Sequence, residues 1–560
     1  RAFWPGSSLA PSMPPPPESP PVFPEPRAPV EVSSLETGMA VLAFYHASHH
    51  PHGLRYVHTC HQAEVLPLVG LSSGWLRATV LRPWRRHAPG GEDVGIAESD
   101  EYIHVRFEGP FRDPLVGVAD SLDVFVHPGL VRLPGSSPPT PLLSALAVRW
   151  WDYRCNKQWS DYSVTSDGLH RDLIDGTCGV YPTLAGEFEL YTAFVKHSSD
   201  LDRISAHWAQ AALHGTNTVA WYLLWPLQLV SADNTAGSVR EKKFFSLCQR
   251  MERVGIRSGW PHPATLYRQL CGKLWIPQMS LNRDYRVPPT TRVQYADVRA
   301  DVDQAAARAI SHVLAVRREV WGKEDVAAHD FKGVAKLGFS WQGDDVLPFK
   351  GVANLARVLV KLFEQRSSEQ LTCLVQEMVP DVLCEYRILC FHDAAAASSG
   401  QGDFFAQEKL WLKMKPQGEH HNHQIACEVG EFAMASAHVI SRDRASHDVF
   451  GGDHAARDHV ENLASCLANK WFLWFKAECG DAPPATRLDF LVARAGGVGG
   501  GEPADYSVWT CEVGELGASL CSVECDARNC AALNWAVRKD PSGRFPLAMP
   551  AIARNNGWKS

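Results

Sequence analysis

The sequence predicts a multidomain, mixed α/β protein in which a small all-β module precedes alternating strands and helices. Three observations predict it. From Met39 to Pro134, short apolar runs follow one another across polar or Gly/Pro-containing connections, with no helical run between them. From Leu142 onward, strand-period and helix-period patterns alternate. The chain of 560 residues, 45% hydrophobic and 21% charged, is large enough for about two to four globular domains.

Composition narrows the function classes. A formal net charge of −7 is modest at this length and argues against a nucleic-acid coat or a polybasic membrane anchor. The richest apolar run, Thr218–Val230, is too short to span a bilayer and contains Pro226. The cysteine count of 15 is odd, and the residues are scattered through apolar stretches. Free thiols in a reducing, cytoplasmic compartment are therefore expected, not a disulfide framework. No signal-peptide pattern is visible, but the chain begins at Arg1, so a segment ahead of it is left open.

Residues 1–38 are dominated by proline and read as a disordered or polyproline II tail. Residues 39–134 are expected to form a small barrel from MAVLAFY, GWLRATVLR, EYIHVRF and VFVHPGLVRL, with an insert from His46 to Ser73. This loosely resembles an SH3-like or Tudor-like barrel. Its Tyr45, Trp75 and Phe107 are either core or an aromatic surface for a protein partner.

GSSPPTP, ending at Pro141, marks the next boundary. Residues 142–285 read as an α/β unit with buried strands in LSALAVRWW and NTVAWYLLWP. Between Val239 and Val254 a helix is expected, because Phe244, Leu247, Met251 and Val254 share a face and Gly255 can close it. Residues 286–535 open on the Pro288–Pro289 break. A helix over Arg299–Trp321 follows, with Val302, Ala305, Ala306, Ile310, Val313 and Leu314 along one side. Residues 536–560 are a C-terminal tail.

The residues suited to chemistry lie in the 286–535 unit. Val334–Ala335 is a short apolar strand leading into Lys336 and a loop with Gly338 and Gly343. A lysine at a strand end beside flexible backbone suits phosphates, although the pattern is neither a P-loop nor a dinucleotide fingerprint. Thr372–Asp393 alternates as two strands around a break at Pro380–Asp381. Gln376, Glu377 and the backbone of Met378 and Val379 stand at that bend, a wall with main-chain donors suited to a purine ring.

In KLWLKMK, Lys409, Trp411, Lys413 and Lys415 share one face, which is either solvated or covered by a polyphosphate. TRLDFLV sets Asp489 opposite Leu488, Phe490 and Val492, and VWTCEVGE carries Glu512 after a glycine-rich link. One carboxylate on each strand of such a hairpin is the donor set Mg²⁺ takes beside substrate phosphates.

In this order, the lysine strand, Q-E-x-V, E-Y-R, basic strand, R-x-D-F and final carboxylate strand together resemble the ATP-grasp superfamily. That family has a glutathione-synthetase-like ATP-binding fold, and the 142–285 unit resembles the pre-ATP-grasp domain that precedes it. The resemblance implies ATP and Mg²⁺ as cofactors, with Lys336, Gly338 and Lys409 near the phosphates. It places Gln376, Glu377 and Val379 at the adenine and Asp381 near the ribose. It further implies Arg387 and Lys413 as catalytic cations, and Asp489, Glu512 and Glu515 as metal ligands. The implied activity is ligation of a carboxylate to an amine or thiol through an acyl phosphate. The alternative is a non-catalytic nucleotide-binding protein that works through its N-terminal module. No nucleic acid or membrane partner is expected. The family's E-x-N ending is altered here, because Gly514 stands at the asparagine's place.

Overall fold

The computed structural model describes residues 34–46, 57–59, 68–85, 102–126, 128–133, 135–136, 140–141, 143–151, 188–215, 217–228, 238–260, 262–324, 326–338, 346–365, 372–392, 404–416, 433–479, 485–495 and 506–514. The tails expected over 1–38 and 536–560 fall mainly outside these residues, as does Glu515. Strands and helices combine in a mixed α/β architecture.

The first sheet has ten strands. They are β1 (Ala40–His46), β2 (Val57–His58), β3 (Leu68–Arg85), β4 (Tyr102–Asp113), β5 (Gly117–Val126), β6 (Val131–Arg132), β7 (Leu143–Trp150), β8 (Phe188–Val195), β9 (Asn217–Leu223) and, beyond the short parallel pair β10 (Trp225–Leu227) and β11 (Ser238–Arg240), β12 (Arg257–Trp260). Their order is β12-β9-β7-β8-β3-β2-β4-β5, with β1 joining β3 to β6.

Among the described residues the strands of the small barrel expected over 39–134 do not close on themselves, and the path stays open from β12 to β5. The reason is the length of β3. Its first part, Leu68–Ser73, read as insert from the sequence, pairs antiparallel with β8. Its later part pairs with β1 and β4. One strand thus carries the sheet across Pro141 into the parallel strands β7, β8 and β9. The aromatic surface is corrected with it: Tyr45 and Phe107 are buried edge-to-face at 5.3 Å, and only Trp75 is half-exposed, under the Arg132 guanidinium.

Helix α1 (Glu241–Arg253) buries Phe244, Leu247 and Met251 as its periodicity predicts, together with Phe245 and Cys248. Gly255, at φ +87°, ends it, since a left-handed residue there carries no Cβ penalty. Short helix α2 (Ala264–Leu270) follows β12.

The middle sheet is antiparallel, ordered β13 (Thr290–Gln294), β16 (Thr372–Glu377), β14 (Lys332–Leu337), β15 (Val346–Lys350). Helices α3 (Val302–Glu319) and α4 (Gly351–Gln365) cover one of its faces. The helix expected from Arg299 starts at Val302 because Asp301 is its N-cap, accepting the Gln304 N–H at 2.9 Å. Ala305, Ala306 and Ala309 of α3 are buried in one apolar cluster with Ala335, Leu337, Cys373 and Val375 of the sheet.

The last sheet is antiparallel, ordered β19 (Ala433–Ile440), β18 (Phe404–Pro416), β17 (Val382–His392), β20 (Ala485–Arg494), β21 (Tyr506–Gly514). Helices α5 (Arg442–Phe450) and α6 (His454–Cys479) lie on one face. Val460, Ala464, Leu467, Trp471 and Phe475 recur along α6 at helical spacing and pack on Tyr386, Ile388, Leu488 and Phe490. No helix among the described residues is long and apolar enough to cross a membrane.

Candidate functional site

Because strand side chains alternate, each sheet that buries one face on helices turns the other elsewhere. In the last sheet, Cys384, Tyr386, Ile388, Leu488, Phe490, Val492 and Val513 face the helices. Glu385, Arg387, Arg487, Asp489 and Glu512 occupy the other face. Register then lines them up: Arg387 stands opposite Asp489, and Asp489 opposite Glu512, across three adjacent strands. In the middle sheet, Lys336, Leu374 and Gln376 alternate away from the α3–α4 face. Leu374 enters the apolar cluster of the last sheet, which shows the direction this face looks.

The side chains form a continuous ionic network. Arg387 donates from Nη2 to Glu385 at 2.8 Å and to Asp489 at 3.2 Å, and its Nε lies 3.0 Å from Asp489 Oδ1. Arg487 Nη2 donates to Asp489 Oδ2 at 2.9 Å and lies 3.7 Å from Glu512 Oε2. Lys273 Nζ reaches Glu512 Oε1 at 3.3 Å from the turn that follows α2. On the middle sheet Lys336 Nζ donates to Gln376 Oε1 at 3.1 Å, while Gln376 donates to Thr290 Oγ1 at 2.8 Å.

The two sheets share one electrostatic environment. Burial holds the Lys336 ammonium below the ordinary lysine range; Cys511 and Glu512 oppose that shift, and Lys273 adds to it. Burial pushes Glu512 up, but Lys273, Arg487 and Lys336 outweigh it and hold the carboxyl below its usual range. The Cys511 thiol, in the same field, is pushed up to about 12 by burial. Cations Lys273, Lys336, Arg387 and Arg487 face carboxylates Glu385, Asp489 and Glu512, four against three when all are ionised. Such a surplus of positive charge favours an anion.

The bend between β16 and β17 differs from expectation in one respect. The Glu377 N–H donates to Pro289 O at 2.8 Å and the Met378 N–H to Lys332 O at 3.2 Å, so these donors are spent within the chain. The Glu377 side chain follows Cys373 and Val375 to the helix side. There Oε1 accepts from Arg317 of α3 and from Lys323, the latter at 3.0 Å. Its Oε2 is buried and accepts no hydrogen bond among the described residues. Val379 is half-buried, and Asp381 is exposed at φ +50°.

Lys409 and Lys413 require correction as phosphate contacts. Lys413 pairs opposite Cys384 and Lys409 opposite Ile388, so both share the helix-side face with Trp411. Lys413 contributes to the field at Asp448 of α5, on the far side of the sheet from Arg387. Period-two alternation groups these lysines correctly but says nothing about which face they take. Gly338 lies against the Lys273 turn: a Cβ there would meet the Gly272 carbonyl oxygen at 2.9 Å. The loop after Gly338, with Gly343, lies outside the described residues.

Among the described residues no three His, Cys, Asp or Glu side chains gather into a metal-binding group. Two carboxylates at neighbouring register positions, Asp489 and Glu512, are nevertheless a fitting set for Mg²⁺, which commonly takes one or two protein carboxylates with substrate phosphates. Asp489 Oδ1 is buried without a well-directed hydrogen bond, leaving an acceptor to offer. Arg487 joins this network without a role expected from the sequence, and Lys273, which the sequence offers only as a possible lining residue of a substrate pocket with His262 and Arg268, joins it through Glu512. Arg487 was legible, since R-x-D places it on the face of Asp489; Lys273 lies in a turn without periodicity.

No protein-family model matches the chain, and no curated protein matches it significantly. Among solved structures, D-cycloserine synthetase DcsG is similar at 16% identity and TM-score 0.37, covering 74% of this chain and 99% of that one. The D-alanine–D-alanine ligase of Bacillus anthracis complexed with ATP is 10% identical at TM-score 0.37, over 75% of this chain and 98% of that one. The VanG D-Ala:D-Ser ligase of Enterococcus faecalis is 9% identical at TM-score 0.39, over 73% of this chain and 100% of that one. All three TM-scores lie below 0.5.

Proposed function

We propose that the chain is an ATP-grasp-like protein that binds ATP with Mg²⁺ between the middle and last sheets and ligates a carboxylate to an amine or thiol. One observation carries the reading: Lys336 of one sheet shares an electrostatic cluster with Glu512 of the other, where strand register also places Asp489 and Arg387. Lys336 and Arg387 are the groups to bind and orient a polyphosphate. Buried cations of this kind, already fixed by Gln376, Glu385 and Asp489, stabilise charge on a transferred phosphoryl group without reorganising. Asp489 and Glu512 would hold Mg²⁺, which supplies further charge stabilisation when bound. The Val379 backbone would meet the base, and the 142–285 unit, as a pre-ATP-grasp domain, would help to hold the acceptor.

The reaction class is carboxylate activation. A substrate carboxylate oxygen attacks the γ-phosphorus and ADP leaves; an amine or thiol then attacks the acyl carbon, loses its proton and expels phosphate. The test is ADP and phosphate release from ATP with a panel of amino-acid carboxylates and amines. Wild-type turnover that disappears in Lys336→Met and Glu512→Gln is expected. Release that persists unchanged in both variants contradicts the reading. Tight nucleotide binding with no turnover on any pair would favour the non-catalytic alternative, which the replacement of asparagine by Gly514 motivates.

A further inference from the structure

Glu512 is held by two cations on separate oxygens, Lys273 on Oε1 at 3.3 Å and Arg487 near Oε2 at 3.7 Å. Asp489, opposite it, is held by Arg387 and Arg487. The two carboxylates suited to a divalent cation are therefore already paired with cations of the chain itself. The two sets of partners differ in how readily they can leave. Arg387 and Arg487 rise from the same sheet and are tied to Asp489, with Arg387 also tied to Glu385. Lys273 comes from outside the sheet, as a compact charge on a flexible four-carbon stem.

The backbone beneath Lys273 is fixed. Gly272 and Lys273 adopt left-handed φ values of +66° and +57°, uncommon for a lysine. Cys271 is buried, its thiol donating to Pro226 O at 3.3 Å. Gly272 abuts Gly338, whose N–H donates to Thr372 O at 3.1 Å. The turn therefore holds the root of Lys273 beside Gly338 while its ammonium reaches Glu512 on the last sheet. Lys273 and Lys336 also repel one another, which a polyphosphate between them would relieve.

We infer that Lys273 is a built-in stand-in cation that occupies Glu512 until a nucleotide draws it away, so that metal enters with or after the nucleotide. The inference rests on the Mg²⁺–nucleotide reading of this site. The whole chain need not turn over for it to be tested.

The experiment measures Mn²⁺ binding to the full-length, nucleotide-free protein by electron paramagnetic resonance of the free ion. Lys273→Met should bind Mn²⁺ about tenfold or more tightly than wild type, the gain expected when one opposing unit charge is removed from a partly buried ion cluster. Lys273→Arg should stay near wild type, and adding Glu512→Gln to Lys273→Met should abolish the gain. Thermal unfolding of each variant, with and without Mn²⁺, checks that the fold persists and reports the same gain as stabilisation. Equal Mn²⁺ affinity in wild type and folded Lys273→Met overturns the inference, as does a gain that survives Glu512→Gln. A separate titration with a non-hydrolysable ATP analogue distinguishes the failures. Analogue binding without the Mn²⁺ gain sinks only the role of Lys273, whereas the gain without analogue binding sinks only the nucleotide reading.

Discussion

Asp489→Asn is expected to weaken the last sheet by about 3 kcal/mol. Asp489 is 2% exposed and meets Arg387 at 3.0 and 3.2 Å and Arg487 at 2.9 Å. At an effective dielectric of about 20, a unit pair about 4 Å apart interacts by about 4 kcal/mol. Two such pairs would set a ceiling near twice that, but three effects reduce it. An amide is cheaper to bury than a carboxylate, and its oxygen still accepts one N–H. Glu385 also remains 2.8 Å from Arg387, and Glu512 3.7 Å from Arg487. The residue of this difference is the lower end of the range of about 3–5 kcal/mol for breaking a buried pair. The assay is equilibrium unfolding in urea followed by tryptophan fluorescence, since Trp411 and Trp471 are buried in the cluster beneath this sheet. With a slope of about 3 kcal/mol per molar, the midpoint should fall by about 1 M. Arg487→Gln alone should also destabilise, and the double variant should lose at least about 1 kcal/mol less than the sum of the singles. Strict additivity, or a midpoint unchanged in Asp489→Asn, would refute the network as described.

Other expectations follow from single positions. His262 is fully buried, with neither ring nitrogen hydrogen-bonded among the described residues, and burial lowers its pKa to about 3. The unfolded chain therefore takes up the proton first, and stability should fall from about pH 6.5 toward pH 3 at up to about 1.4 kcal/mol per pH unit; His262→Phe should flatten that part of a stability–pH curve. Lys409→Ala and Lys413→Ala should leave affinity for an ATP analogue within about twofold of wild type, because both lie on the helix-side face. Calorimetry showing a tenfold loss in either would reverse the assignment of faces. Gly338→Ala, forced against the Gly272 carbonyl at 2.9 Å, should lower thermal stability by about 1–3 kcal/mol and shift the Lys273 turn; unchanged stability would mean the turn yields freely.

The parts of this structure legible in the sequence are those governed by local period. Alternation placed Arg387 and Asp489 on the face opposite Tyr386 and Leu488, and the 3.6-residue repeat placed Phe244, Leu247 and Met251 on the buried side of α1. What remained hidden depends on partners distant in sequence. The two-residue period groups Lys409 with Lys413 but cannot choose their face, which is set by register against Cys384 and Ile388 of β17. Leu68–Ser73 carries little strand signal of its own and is extended because β8, more than a hundred residues later, pairs with it. Glu377 stood at the bend as expected, but its charge is claimed by Arg317 and Lys323, which no local pattern couples to it. Lys273 owes its place to two left-handed residues and the close approach of Gly338, neither of which has a periodic signature.

The central claim is that a nucleotide sits between Lys336 and the carboxylates of β20 and β21. It is tested most directly by titrating a non-hydrolysable ATP analogue with Mg²⁺ into wild type and Lys336→Met by calorimetry, with thermal unfolding in parallel. The account predicts saturable wild-type binding, about 2.7 kcal/mol of stabilisation at a hundredfold excess over Kd, and affinity weakened at least about tenfold in Lys336→Met, where a charged contact is lost. No heat and no stabilisation in the wild type, or equal affinity in both proteins, would contradict it.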